Sequence, residues 1–133
     1  MARNDEPEIF EETTAELDVS SHSWQFTQGR MEVHCFDVKA SGPKTDAAAK
    51  DLMAKFAIKA ETDLHGPQAK VTSEDPFTLG RYSGTTYTMT TPTSIITISV
   101  GAYNKKGIAL VLEAKTSSLL EELRKGFDGF TFK

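Results

Sequence analysis

Ile95-Ile96-Thr97-Ile98-Ser99-Val100-Gly101-Ala102-Tyr103-Asn104-Lys105-Lys106-Gly107-Ile108-Ala109-Leu110-Val111-Leu112-Glu113-Ala114 is the stretch whose reading decides the fold. Ile96, Ile98, Val100 and Ala102 alternate with Ile95, Thr97, Ser99 and Gly101. Ile108, Leu110, Leu112 and Ala114 alternate with Ala109, Val111, Glu113 and Lys115. A period of two in such residues predicts two strands, each with an apolar face. The two apolar sets share a face only if even positions pair with even, because a one-residue slip turns every side chain over. A three-residue loop of Lys105, Lys106 and Gly107 meets that condition, closing Asn104 against Ile108 and pairing Ala102 with Leu110 and Val100 with Leu112. Asn104 suits the first position of a type I turn, and Gly107 the left-handed residue of the following bulge. The expected hairpin is scaffold, with Ile98, Val100, Leu110 and Leu112 facing a covering helix.

Outward from the hairpin, Met31 to Val38 reads as a strand with Met31, Val33 and Cys35 on one face and Glu32, His34, Phe36 and Val38 on the other, which suits a central position. A helix is expected from Thr45, its N-cap, to Leu64. Ala49, Leu52, Met53, Phe56, Ala60 and Leu64 form its apolar stripe, and Gly66-Pro67 stops it. Lys70 to Ser73 and Phe77 to Tyr82 read as strands about a turn at Glu74-Asp75-Pro76, and Ser83-Gly84 turns the chain into Thr85 to Thr91. Ser118 and Glu121 have capping-box spacing and open a short helix with Leu120, Leu123 and Phe127 on one face. Phe130-Thr131-Phe132 reads as a last strand. Ala15 to Val19 and Trp24 to Phe26 read as a first hairpin. Residues 1–14 read as a flexible acidic arm ahead of a single domain, 15–133.

This order, with strands in the middle and helices set apart, predicts an α+β fold: a central antiparallel sheet covered by one long and one short helix. A chain of 133 residues is long enough to bury one core without staples. A mean hydropathy of -0.36 and the want of an 18-residue apolar run predict no transmembrane segment. Nineteen acidic against fifteen basic residues give a formal charge of -4, which repels a phosphate backbone, so no nucleic acid is expected as a partner. Met1-Ala2-Arg3-Asn4-Asp5-Glu6-Pro7 lacks the apolar core of a signal peptide. The expected location is cytoplasmic if Met1 is the native start, and exported or lipoprotein if a leader has been removed.

No phosphate loop, zinc spacing or calcium loop is found, so neither cofactor nor metal is expected. His22, His34 and His65 fall on separate elements. Cys35 reads as a small buried apolar residue, since His34 beside it points to the opposite face of the strand. No catalytic residue is assigned. Trp24, the only tryptophan, and the polar stripe Thr86, Thr88 and Thr90 are the candidates for contact with a partner, against the plainer readings of a core edge and a solvated sheet face.

Three segments together resemble the PsbP/DcrB-like superfamily of small sandwich domains over about three quarters of the chain. They are Val33-His34-Cys35-Phe36-Asp37-Val38 with the long helix after it, Leu79-Gly80-Arg81-Tyr82-Ser83-Gly84-Thr85-Thr86-Tyr87 leading into the hairpin, and Gly126-Phe127-Asp128-Gly129-Phe130-Thr131-Phe132. That resemblance implies non-enzymatic work: extrinsic stabilising subunits, a binder of a small GTPase, periplasmic domains, and chaperones for secreted toxins. The expected function is binding, stabilising or chaperoning another protein. The alternative is a small-ligand carrier or enzyme with a pocket between the sheet and the long helix, lined by Leu52, Met53 and Phe56.

Overall fold

A computed structural model describes residues 8–26 and 29–128. In chain order the elements are β1 (Glu8–Thr13), β2 (Leu17–Phe26), β3 (Gly29–Val38), α1 (Asp46–His65), β4 (Lys70–Leu79), β5 (Tyr82–Thr90), β6 (Ile95–Tyr103), β7 (Lys106–Ala114) and α2 (Ser117–Asp128). The strands form a seven-stranded sheet in the order β1-β2-β3-β7-β6-β5-β4, and every neighbouring pair is antiparallel. The architecture is α+β. After β3 the chain crosses as α1 to the far edge, then returns strand by strand until β7 pairs with β3.

The hairpin register differs by three residues from the sequence reading, an odd shift that turns β7 over. Tyr103 pairs with Lys106, Ala102 with Gly107, Val100 with Ala109 and Ile98 with Val111. Its loop is the two residues Asn104 and Lys105, both with positive φ, 49° and 64°, which is the type I′ pattern whose twist matches that of the strands. Pattern alone misled because β7 is apolar on both faces. Ala109 and Val111 join Ile96, Ile98 and Val100 in the core beneath α1. Ile108, Leu110, Leu112 and Ala114 pack on the opposite face with Met31, Val33 and Leu120. A strand buried on both faces carries no alternation to fix its register. Gly107 is therefore not a turn residue. It faces α1, where a Cβ would collide with the Sδ of Met53.

The loop yields a first prediction. A lysine in the left-handed region carries a cost of about 1 kcal/mol that glycine escapes, and Asn-Gly is the favoured I′ pair. Lys105→Gly should stabilise the chain by roughly 0.5–1 kcal/mol in urea unfolding. An unchanged midpoint would contradict the two-residue loop.

Helix α1 starts as its sequence signals say. Thr45 is the N-cap and its hydroxyl accepts from Ala48 N, and the Gly66 N–H closes the far end on Thr62 O. Asp46 Oδ1 also accepts from Asn104 N at 3.0 Å, tying the helix start to the hairpin loop. The buried stripe is Ala49, Met53, Ala54, Ala57 and Glu61. Leu52 and Phe56 pack at its margin, and Leu64, expected in the stripe, is 63% exposed. Stripe positions four apart thus end on a carboxylate.

Several expected boundaries are corrected. Residues expected to form a first hairpin lie in one strand, β2, and part of the expected arm is the edge strand β1. Lys70–Leu79 is one edge strand with a bulge between Val71 and Ser73. Pro76 is tolerated there because an edge strand has one side free of ladder bonds. Gly80, with φ 60°, and Arg81 make the following turn, with Leu79 paired to Tyr82, so Ser83 and Gly84 lie within β5. Thr116 caps α2 in place of Ser118, its Oγ1 accepting from Leu119 N at 3.2 Å. The side chains of Leu123 and Phe127, and the expected strand 130–132, lie outside the described residues. Cys35 is exposed, not buried, although Met31 and Val33 on the same face of β3 are buried. Desolvation by its neighbours and the nearby Asp37 push its thiol above the ordinary value.

Candidate functional site

Arg30, Glu32 and His34 follow one another on the α1 side of β3, where a strand period of two places alternate residues together. The second half of α1 brings Glu61 and His65, one turn apart, over the same region. Glu113 arrives near the end of β7 and Ser94 from the β5–β6 loop. These residues, from four parts of the chain, make a half-buried ionic cluster.

Arg30 is its hub. Its Nη1 donates to Glu32 Oε2 at 2.8 Å, and its Nε and Nη2 each donate to Glu113 Oε1 at 3.1 Å. Nη2 also donates to Glu61 Oε1. His65 Nε2 lies 3.2 Å from both oxygens of Glu113 and 3.8 Å from Glu61 Oε1. Ser94 Oγ donates to Glu113 Oε2 at 2.8 Å. Farther along β3, His34 Nδ1 is 2.6 Å from the hydroxyl of its cross-strand partner Ser21. His34 Nε2 approaches Glu32 Oε1 at 2.8 Å but off the line of a good hydrogen bond, so this nitrogen of a side chain 3% exposed is left unsatisfied.

Three carboxylates surround one guanidinium, so the acidic groups outnumber the cation they share. Their effects are uneven. Burial pushes the Glu61 carboxyl up, and the attraction and hydrogen bond of Arg30 do not cancel it, with Glu32 and Glu113 adding repulsion. Burial also pushes Glu32 up, but the adjacent His34 ring, then the Arg30 guanidinium, hold it below the ordinary range. The Arg30 guanidinium, lowered by burial, is raised overall by its three carboxylates. Glu61 is thus the member with the poorest compensation.

Two clefts open near these features. The first, of about 450 Å³, is lined by Arg30, Leu64, His65, Ser94, Glu113 and Lys115 among others and gives the ionic cluster access to solvent. The second, of about 540 Å³, lies on the opposite sheet face. Leu110, Leu112 and Phe77 are among its apolar lining, and Thr86, Thr88, Thr97 and Ser99 supply hydroxyls. Thr86 Oγ1 and Ser99 Oγ are hydrogen bonded at 2.8 Å.

Thr86 and Thr88, singled out from the sequence, both line the second cleft. Thr90 is exposed beyond it. Trp24 shares that face but sits on β2, stacked on His22 at 6.3 Å and partly buried against the core there. Three strands intervene, about 19 Å at ordinary strand spacing, so the structure does not bring Trp24 to the threonines. The ionic cluster was missed by sequence reasoning. Its one local signal is Glu61, an acidic residue four positions after Ala57 on the apolar stripe. Arg30 and Glu113 carry no such mark. Of the three histidines only His34 and His65 touch the cluster, at its two ends. Leu52, Met53 and Phe56, expected to line a pocket if one exists under α1, line neither cleft, and Met53 is fully buried.

Among the described residues no helix is long and apolar enough to cross a membrane. Comparison with protein-family models, with curated proteins and with solved structures finds no match to this chain.

Proposed function

We propose that this chain is a non-enzymatic binding domain, of the PsbP/DcrB-like kind, that holds an apolar segment of another protein in the cleft between β4 and β7. The observation that carries the reading is the composition of that cleft: an apolar lining that includes Leu110 and Leu112 beside the hydroxyls of Thr86, Thr88, Thr97 and Ser99. Apolar burial supplies affinity, and a few fixed hydroxyls orient a peptide backbone, with Asp75 the one charged residue of the lining. The chemical groups nearest to a nucleophile support the same reading. Ser21 meets His34 inside a fully paired ladder of β2 and β3, where the backbone N–H groups an oxyanion requires are already engaged.

The test is selection from a phage library of random dodecapeptides on the immobilised protein. Native protein should enrich sequences with an apolar anchor. Thr88→Lys, which places an ammonium at the cleft, should weaken the selected peptides by about tenfold or more, while Lys55→Glu on the exposed side of α1 leaves them unchanged. Enrichment insensitive to Thr88→Lys, or no enrichment, would sink the reading.

A second reading, a small-ligand carrier, is favoured by the cleft volume, about 540 Å³, which falls in the ordinary range for ligand pockets. A thermal-shift screen separates the two. A tight ligand at 100 times its Kd adds about 2.7 kcal/mol of stability, and such a hit abolished by Thr88→Lys would favour the carrier.

A further inference from the structure

The ionic cluster lies on the other face of the sheet and has its own chemistry. We infer that Glu61, His65 and Glu113 form a binding site for a divalent transition-metal cation, with Arg30 and Ser94 holding the carboxylates in place. One ligand atom from each of the three lies within 4.8 Å of the others.

Three independent features point to a cation rather than to a self-sufficient ion network. The first is spacing. A tetrahedral ion with ligand bonds of about 2.0–2.2 Å holds its donors roughly 3.3–3.6 Å apart. The separations from His65 Nε2, 3.2 Å to Glu113 and 3.8 Å to Glu61, bracket that value. The imidazole nitrogen stands equally far from both Glu113 oxygens, a placement shared between carboxylate atoms rather than aimed at one. Second comes charge. Glu32, Glu61 and Glu113 outnumber the one guanidinium they contact in a partly desolvated site, and a divalent ion among them offsets the repulsion between the carboxylates. The third is access. His65 and Glu113 line the cleft of about 450 Å³, so an ion can enter and retain an open position for water.

One imidazole with two carboxylates suits zinc, manganese, cobalt or ferrous iron better than calcium, which takes oxygen donors throughout. The Arg30 contacts to Glu61 and Glu113 and the Ser94 hydroxyl on Glu113 supply the outer hydrogen bonds that orient metal ligands. Arg30 also repels the cation, so the site should bind more weakly than a site with the same donors and no guanidinium.

The experiment uses the whole chain stripped with a chelator and titrated with ZnCl₂. Calorimetry should show one equivalent bound, with protons released wherever Glu61 or His65 was protonated beforehand. The ¹⁵N imidazole spectrum of the native protein should show the His65 resonances shifting on zinc addition while those of His22 stay fixed, a readout that requires no variant to fold. His65→Gln and Glu113→Gln should each weaken binding by about tenfold or more, and His22→Gln should leave it unchanged. No binding up to about 1 mM zinc, or binding that leaves His65 unshifted and survives both His65→Gln and Glu113→Gln, overturns the site.

Discussion

Replacing Arg30 with methionine should cost about 3–5 kcal/mol of stability at pH 7, measured by urea unfolding with a chelator present. The size follows from what remains. Methionine fills much of the space, but Glu32, Glu61 and Glu113 lose the guanidinium that contacts all three, and Glu61 is 2% exposed. Removing one partner of a buried ion pair costs more than the pair itself contributes, because an uncompensated charge is left behind.

The same substitution should have a defined pH dependence. Glu61 has a folded value above the ordinary 4.5. Its contribution to stability is therefore complete below about pH 4.5 and lost as the pH rises through the folded value. Without Arg30 that folded value rises further, so the deficit of the variant should grow with pH above 4.5 and shrink as the pH approaches 4. Glu32 runs oppositely. Held below 4.5 by His34 first and then by Arg30, it stabilises above pH 4.5, and this contribution is lost as the pH falls through its lowered value. A deficit independent of pH between 4 and 7 would show that lost packing, not lost charge compensation, explains the cost.

Ile98→Ala should cost about 2–5 kcal/mol, the usual toll for opening a cavity in a well-filled core. Ile98 is fully buried beneath α1 and stands opposite Val111 in the β6–β7 ladder. A double-mutant cycle carries the sharper information. Ile98→Ala and Val111→Ala share one cavity and should couple by about 0.5 kcal/mol or more. Ile98→Ala with Leu112→Ala should be close to additive, because Leu112 packs in the cluster on the other side of the sheet. In the register suggested by the hydrophobic pattern, Ile98 would oppose Ala114 and share its face with Leu112, so the second pair would couple and the first would be close to additive.

These two experiments fall on the places where sequence and structure part. Local signals were legible at both ends of α1. Thr45 caps α1 because its hydroxyl reaches an N–H three residues on, and Gly66 ends it because a positive φ costs glycine nothing. The strands of the central hairpin were readable from β-branched residues in succession, and an antiparallel α+β fold followed from their order. The separation of His34 from Cys35 followed from strand alternation alone.

What the sequence by itself determined, then, is the middle of the chain: β3 and the strands of the β6–β7 hairpin, where α1 begins and ends, and that α1 has an apolar side. Tertiary structure decided the rest. It chose the register of β7, because a strand apolar on both faces satisfies either choice locally and only the I′ loop and the packing of Met53 over Gly107 distinguish them. Tertiary contact also assembled the ionic cluster, since Arg30 and Glu113 are 83 positions apart. They meet because β3 and β7 pair after α1 and three further strands have been laid down. A carboxylate on an apolar stripe reads as a flaw in one helix until the guanidinium that answers it arrives from another part of the chain.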